Sequence, residues 1–360
     1  MAQTVGWFDP TPRGGFVRLA EHSFLPAPGD VAVRHPGLRR GDAVTVEGGR
    51  VLGVNGLPPG TGLNDRPEFA KLGATHPTRP LALETASASG LRTSDIQRTI
   101  DLVCSLGFGQ RALIVSPPKA GKTIVLQAVA EGVALTYPHC ELLLLLVDER
   151  PEEVSELVDW GRGTVIASSF DLPHERHVAV AEMAFEHARR QVELGRDVVI
   201  VLDSLTRLAR SHNTTAKSSH RTLSGGLDAN ALAKPKALFG AARAVPDGGS
   251  LTVIATALVE TESRMDDIIF EEFKGTGNSE LRLSRELADR RIYPAVDIAA
   301  SGTRREELLA DAETVARRQA LRRALVGLPP DQAMSALLTH LRRTKTNAEL
   351  LRQFAPDAGR

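Results

Sequence analysis

The sequence predicts an α/β protein: a mostly parallel sheet covered by helices, with a small β-barrel or meander before it and a helical tail after it. Three observations predict this. Residues 1–58 alternate apolar and polar positions between Gly and Pro, short apolar runs then alternate with helical patterns, and the end is rich in Ala, Leu, Arg and Glu. Period-two alternation marks half-buried strands, whereas apolar runs separated by amphipathic helices mark strands covered on both faces.

Composition sets the bounds. A chain of 360 residues with 42% hydrophobic content fits one large or two unequal domains with a full core. The longest purely apolar run, Leu142 to Val147, is far shorter than the ~20 residues a membrane span requires. Met1 to Pro10 lacks the basic start and apolar stretch of a signal peptide. These features predict a soluble, cytoplasmic protein with no membrane partner. Lys+Arg and Asp+Glu both number 44, so net charge does not signal a nucleic-acid partner. It does not exclude one either, because a channel can concentrate positive charge in a neutral chain. Cys104 and Cys140 have no CxxC spacing and read as reduced thiols. Aromatic residues make up only 4%, which limits base stacking.

Taken in order, GGFVRL, DVAVRH and DAVTVEGGRVLGV supply the strands of the first domain, residues 1–58. The Gly- and Pro-rich stretch NGLPPGTGLNDRP opens a linker, assigned to residues 59–90. The α/β core spans 91–304. Ala112 to Ser116 is a strand, Lys122 to Leu135 a helix, and Leu142 to Val147 and Val165 to Ser168 are strands. Val178, Ala181, Phe185, Ala188 and Val192 recur at helical spacing. Val198 to Leu202 and Leu251 to Ala255 are two further strands, and residues 305–360 form the helical tail. There is no internal repeat.

The sharpest motif is Ser116-Pro117-Pro118-Lys119-Ala120-Gly121-Lys122-Thr123. It follows a strand and opens a helix, the context of a loop that cradles phosphates on backbone amides. Gly121 lets the backbone approach ATP, Lys122 reaches the β/γ-phosphates, and the Thr123 hydroxyl holds Mg²⁺. Ser116 stands where such loops usually carry their first Gly, so a different loop geometry is expected. About 80 residues on, the strand Val198 to Leu202 ends in Asp203, which fits the acid that orients the Mg²⁺ shell. The strand Leu142 to Val147 runs into Asp148-Glu149-Arg150. From residue chemistry alone, Glu149 is equally a base for the attacking water or part of a solvated acidic helix start.

Further stretches narrow the reading: VDERPEEV from Val147, DSLTRLAR from Asp203, LSGGLDAN from Leu223, FGAAR from Phe239, EEFKGTGN from Glu271 and SGTR from Ser301. In this order, over roughly residues 62–350, they resemble the bacterial transcription termination factor Rho family. The resemblance implies a RecA-like P-loop ATPase core behind an OB/cold-shock-like barrel. It also implies a homohexameric, RNA-dependent ATPase and helicase that pulls nascent single-stranded RNA from RNA polymerase, with an elongation factor as a further partner. By resemblance, Glu149 is the catalytic base, and Arg150 links the γ-phosphate to the subunit interface. Arg304 is an arginine finger from a neighbour, Arg291 a second interfacial arginine, and Tyr293 the aromatic against adenine.

Two loops would carry RNA. One spans Thr214 to Gly226, with Ser219, Thr222 and Ser224 as polar contacts and Arg221 where the family usually has a lysine. The other contains Lys274, Gly275 and Thr276, with glycines that let it move. In the barrel, Phe16 and Arg18 keep RNA-binding positions, but Gly14 replaces a second aromatic and Val31-Ala32-Val33 lacks the usual tyrosine. Stacking contributes ~1–3 kcal/mol per base, so loading by this barrel is expected to be weak. Trp7, Phe8 and Phe24 are candidate substitutes, Phe24 fitting a core role better. Two other readings compete: a rotary-type ATPase subunit, and an RNA-binding regulator that uses ATP only as an assembly ligand.

Overall fold

The computed structural model describes residues 3–354 except 62, 64, 217–223 and 229, and every statement of structure concerns those residues. Strands β1 (Thr4–Thr11), β2 (Gly14–Arg18), β3 (Val31–Val33), β4 (Ala43–Glu47) and β5 (Arg50–Val54) form one antiparallel sheet in the order β3-β2-β1-β4-β5. The alternation read from the sequence is what curls this sheet around its own core. Phe8, Val17, Val33, Val44, Val46, Val51 and Val54 point inward and pack with Leu63.

The opposite side of β1 is not free surface. Trp7 stacks between Phe24, with ring centroids 3.6 Å apart, and His187 of the core, at 3.9 Å. Gly41 makes that approach possible, since a Cβ there would lie 2.4 Å from the His187 backbone nitrogen. Its carbonyl oxygen lies 2.7 Å from Nδ1 of His187, whose Nε2 lies 2.6 Å from Oε1 of Glu141. Arg66 donates to Asp42 across the same joint.

The stretch read as a linker behaves differently from that expectation. Phe69, Leu81 and Leu83 are buried, and the amides of Leu83 and Glu84 donate to the Asp101 carboxylate. It is a strap laid on the core. Isolated apolar residues between prolines carry no period, so the pattern of the sequence cannot reveal their burial.

The core begins with α1 (Leu91–Val103) and continues through β6 (Arg111–Ser116), α2 (Lys122–Thr136), β7 (Glu141–Glu149), α3 (Pro151–Trp160), β8 (Thr164–Ser169), α4 (His174–Glu193) and β9 (Asp197–Asp203). It proceeds through α5 (Leu205–Thr215), α6 (Ala233–Gly240), β10 (Arg243–Ala244), β11 (Ser250–Leu258), α7 (Arg264–Lys274), β12 (Ser279–Arg282), α8 (Arg285–Asp289) and β13 (Gly302–Thr303). The sheet runs β13-β12-β6-β11-β9-β7-β8, with β10 added beside β11. Strands β12, β6, β11, β9, β7 and β8 are parallel, as their apolar composition requires, and helices cover both faces. In α4 the buried stripe is Val180, Ala181, Ala184, Phe185, Ala188 and Val192, with Val178 half-buried at its margin.

The tail forms α9 (Ala312–Val326), α10 (Pro330–Arg343) and α11 (Asn347–Leu351). Met334, Leu337 and Leu341 are buried in the main core. Arg98 of α1 closes the end of α10 by donating to the carbonyls of Leu341 at 2.7 Å and Thr344 at 2.8 Å. Among the described residues, no helix is long and apolar enough to cross a membrane.

Candidate active site

Parallel strands deliver their C-terminal ends to one edge of the sheet, and loops there form the site. β6 stays in the ladder as far as Ser116, which pairs with Leu258 of β11. The departure at Ser116 is accommodated simply: the residue is fully buried and its hydroxyl donates to the Pro117 carbonyl. The loop turns through Lys119 at φ +63 and Gly121 at φ +93, and α2 starts at Lys122. Glycine suits that second left-handed turn, and the free amides of the first helical turn suit an anion. Pro117 and Ala120 are buried, Pro118 and Lys119 are exposed, and Arg285 holds the loop by donating to the Pro118 carbonyl at 2.8 Å.

Lys122 is the centre of the cluster. Its Nζ donates to Oε1 of Glu149 at 3.0 Å and to Oδ1 of Asp203 at 2.6 Å. Both acids sit at strand ends with almost wholly buried side chains. Burial acts to lower the Lys122 pKa, but the charges of Asp203 and Glu149 outweigh it and the net shift is upward. Burial, reinforced by the charge of Asp203, pushes Glu149 up to about 7 against the pull of Lys122 and Arg207. A carboxyl held there exchanges its proton near neutrality, as a general base requires. The Thr123 hydroxyl and Asp203 carboxylate are hard oxygen donors beside a phosphate loop, a set that fits Mg²⁺.

Two residues that sequence reasoning missed complete the cluster. Thr256 of β11 donates to Oδ1 of Asp203 at 2.7 Å, and Arg207 of α5 lies 3.3 Å from Oε2 of Glu149 while also donating to the Asp148 carbonyl. The sequence offers only faint signals for them, a hydroxyl at the end of an apolar run and an arginine one helical turn beyond Asp203, neither of which says what it faces.

Tyr293 is brought to the loop, its ring 3.6 Å from where a Gly121 Cβ would stand, with the Arg92 guanidinium 4.9 Å from the ring centroid. Arg150 is exposed and only weakly paired with Glu153, at 4.0 Å, and Arg291 is exposed at φ +61. Arg304 is not brought to this site. Its amide donates to the Asn278 carbonyl, and the Asn278 amide donates to that of Arg111, so Arg304 is level with the start of β6. From Arg111 to Ser116 is roughly 17 Å along the strand at about 3.3 Å per residue.

Arg304 instead lines a cleft of about 260 Å³ with Lys274. Lys274 ends α7, 3.8 Å from Glu271 and with its ammonium 5.6 Å from the centroid of the Phe270 ring. The segment after it was expected to be mobile through its glycines. Here the amides of Thr276 and Gly277 donate to Phe273, and Arg111 donates to the Thr276 carbonyl at 2.8 Å. Gly275 has φ −66, which any residue adopts. Ser219, Arg221 and Thr222 lie outside the described residues, as does the side chain of Ser224.

In the barrel, Phe16 is half-buried on β2 with the Arg18 guanidinium 4.9 Å from its centroid. Arg18, given above as an RNA-binding position, is buried and donates to Asp9 at 2.8 Å and Asp30 at 2.6 Å, so its charge is already paired here. Trp7, Phe8 and Phe24 are all core residues, so none of them replaces the missing stacking platforms.

The sheet, phosphate loop and acid pair define a P-loop nucleotide-binding domain. The profile of the ATP synthase alpha/beta family, nucleotide-binding domain, matches residues 97–303. Among solved structures, an ATPase from the type III secretion system of pathogenic bacteria shares the fold at TM-score 0.63 and 21% identity, over 78% of this chain and 85% of that one. An ATP synthase subunit from Nanoarcheaum equitans shares it at TM-score 0.60 and 15% identity, over 70% of this chain and 62% of that one.

Transcription termination factor Rho of Gemmatimonas aurantiaca is 55% identical over 96% of this chain and 49% of its own length. That of Streptosporangium roseum is 50% identical over 97% of this chain and 91% of its own length, and that of Streptomyces lividans 50% identical over 94% and 50%. The chain belongs to the transcription termination factor Rho family. It spans about half the length of the first of these relatives (49% and 50%).

Proposed function

We propose that this protein is an ATP-hydrolysing, RNA-stimulated translocase that works as a homohexamer and terminates transcription by pulling nascent RNA from RNA polymerase. The observation that carries the reading is the separation of Arg304 from its own phosphate loop. An exposed guanidinium with no ion pair among the described residues, at the far end of the sheet from Lys122, serves a neighbour's nucleotide and not its own. An ATPase that needs a neighbour's arginine is a ring or chain of subunits. The family supplies the RNA.

Within each site, Gly121 and the first turn of α2 hold the phosphates. Lys122 leaves its two acids for the β/γ-phosphates, and Glu149, relieved of that lysine, takes the proton of the attacking water. Thr123 and Asp203 would hold Mg²⁺, which when bound offsets the charge of the phosphate oxygens. Arg304 of an adjoining subunit stabilises the charge on the transferring group, and Arg150 and Arg291 report its arrival across the interface. Tyr293 faces the base. Lys274 shares its cleft with Arg304, so movement of an RNA phosphate against Lys274 is felt at the finger. Domain bounds of 1–58, 59–90, 91–304 and 305–360 remain the working division, with cytoplasmic action implied by the substrate.

The test is steady-state ATP turnover with and without poly(C), poly(U) and single-stranded DNA. Stimulation by RNA but not DNA is expected. Turnover indifferent to nucleic acid would replace this reading with a rotary-type motor.

A further inference from the structure

The barrel and the core meet along a second, unassigned cleft of about 540 Å³. Arg39 reaches it from the barrel, Phe69 from the strap, Arg189, Arg190 and Glu193 from α4, and Arg243 from β10. Its volume is within the roughly 300–1,000 Å³ of small-ligand sites.

The acids in this cleft are already engaged. Glu193 accepts from Arg39 at 3.1 Å, Arg190 at 2.6 Å and the Phe69 amide at 2.8 Å. Glu186 is taken by Arg189, and Glu68 pairs with Lys71 at 3.3 Å. Arg243 has no carboxylate among the described residues: its donors reach only the carbonyls of Ala241 at 3.0 Å and Leu72 at 3.3 Å. Its guanidinium packs 4.5 Å from the centroid of Phe69, the ring that Arg189 also approaches at 5.7 Å. Nε of Arg189 is buried without a hydrogen-bond partner among the described residues. Two like charges share one ring, and burial together with Arg189 depresses the Arg243 pKa.

We infer that this cleft binds a phosphate group between Arg189 and Arg243, against the ring of Phe69. An anion there removes the repulsion, satisfies the idle donors and uses the planar fork that guanidinium offers to phosphate oxygens. The phosphate comes either from a single-stranded RNA backbone or from a free phosphate compound. The first source rests on the RNA-motor reading. It is favoured by position, because Arg39 reaches the cleft from the barrel read as RNA-binding.

The experiment uses the full chain as wild type, Arg189→Ala/Arg243→Ala and Arg243→Gln. The single variant retains a donor for the neighbouring carbonyls and guards against loss of fold, which thermal melts monitor. Binding of a labelled oligocytidine is measured across a salt series. Binding of inorganic pyrophosphate is measured by calorimetry in a Lys122→Ala background, which silences the phosphate loop.

The double variant is expected to bind RNA about tenfold more weakly, the scale of a charged hydrogen bond. Its log–log salt slope should flatten by about 0.7 for each RNA phosphate no longer neutralised. Reduced RNA binding with pyrophosphate binding unchanged assigns the RNA backbone. Reduced pyrophosphate binding assigns a free phosphate compound, and reduction of both assigns a site open to either. If both folded variants match wild type in both arms, the inference is wrong and the arginines only join barrel to core. A wild type that binds no RNA removes the motor reading instead, and the pyrophosphate arm then decides the cleft alone.

Discussion

The phosphate-loop edge of the large sheet and the outer face of the small barrel treat a cation in opposite ways. Lys122 sits between Glu149 and Asp203 at the mouth of a loop built to receive anions. Arg18 sits between Asp9 and Asp30 on a strand, beside a half-buried Phe16. Both are cations bracketed by two acids. The surroundings differ: Lys122 adjoins the free amides at the start of a helix, where an anion can bind, whereas Arg18 sits on a strand among its acids. An ion cluster is a site only where a second arrangement of its charges is within reach.

The largest test of that contrast is Arg304→Ala. Loss of a finger costs roughly a thousandfold in turnover. When variant subunits are mixed into wild-type rings, activity should fall faster than their mole fraction. Loss in simple proportion would mean that Arg304 serves no neighbour. Glu149→Gln follows, with turnover reduced by about 100-fold or more while ATP binding persists, measured by fluorescent-nucleotide titration beside steady-state rates.

The same residue gives a pH signature. Glu149 must be ionised to accept a proton, and its pKa stands at about 7 before nucleotide enters. With Lys122 drawn to the phosphates its downward pull on Glu149 is lost, so single-turnover rates should climb as pH rises through about 7, and Glu149→Gln should abolish the climb. The sign for stability is opposite. The folded state holds this proton more tightly than the unfolded chain, so the stability from this group is lost as pH rises from the ordinary carboxylate range to about 7.

How much of this was legible in the sequence depended on whether a residue's role is local. Lys122, Thr123 and Gly121 are defined by a loop of a few residues between a strand and a helix, so the motif alone placed them. Asp203 needed only the rule that parallel strands end at one edge, whereas the residue chemistry of Glu149 left two readings even and only the family resemblance chose between them. Thr256 and Arg207 act through space on those acids, and a lone hydroxyl or arginine in a sequence carries no direction. The barrel was legible as alternating strands, yet alternation does not say which face meets another domain. Trp7 was therefore open to a stacking or a core role, while Phe24 fitted a core role better; with Gly41 allowing the close approach of α4, both are buried. The strap around Leu81 and Leu83 escaped for the same reason: its burial is set by the core it crosses.

Thr256→Val sharpens the account of the core end. The change is close to isosteric and removes the 2.7 Å hydrogen bond to Asp203 while leaving the ladder of β11 intact. Turnover at limiting Mg²⁺ should fall about tenfold, the worth of one hydrogen bond to a charged group, with recovery as Mg²⁺ is raised. Unchanged Mg²⁺ dependence would leave Thr256 a packing residue.

The smallest effect is expected at Arg18, and its smallness is informative. A guanidinium neutralised by Asp9 and Asp30 adds little field at the barrel surface, so Arg18→Gln should change oligocytidine affinity by less than about twofold at moderate salt. The same change removes the charged hydrogen bonds to both acids, leaving Asp9 with Arg40 at 3.4 Å and Asp30 with the Ala27 amide at 2.8 Å, and should lower stability by about 2 kcal/mol in denaturant unfolding. Phe16→Ala separates the two contributions, because the ring is the one barrel aromatic among Trp7, Phe8, Phe16 and Phe24 that is not buried. If Arg18→Gln weakens RNA binding as much as Phe16→Ala does, Arg18 leaves its acids for phosphate as Lys122 does. The two ends of the molecule would then obey one rule instead of two.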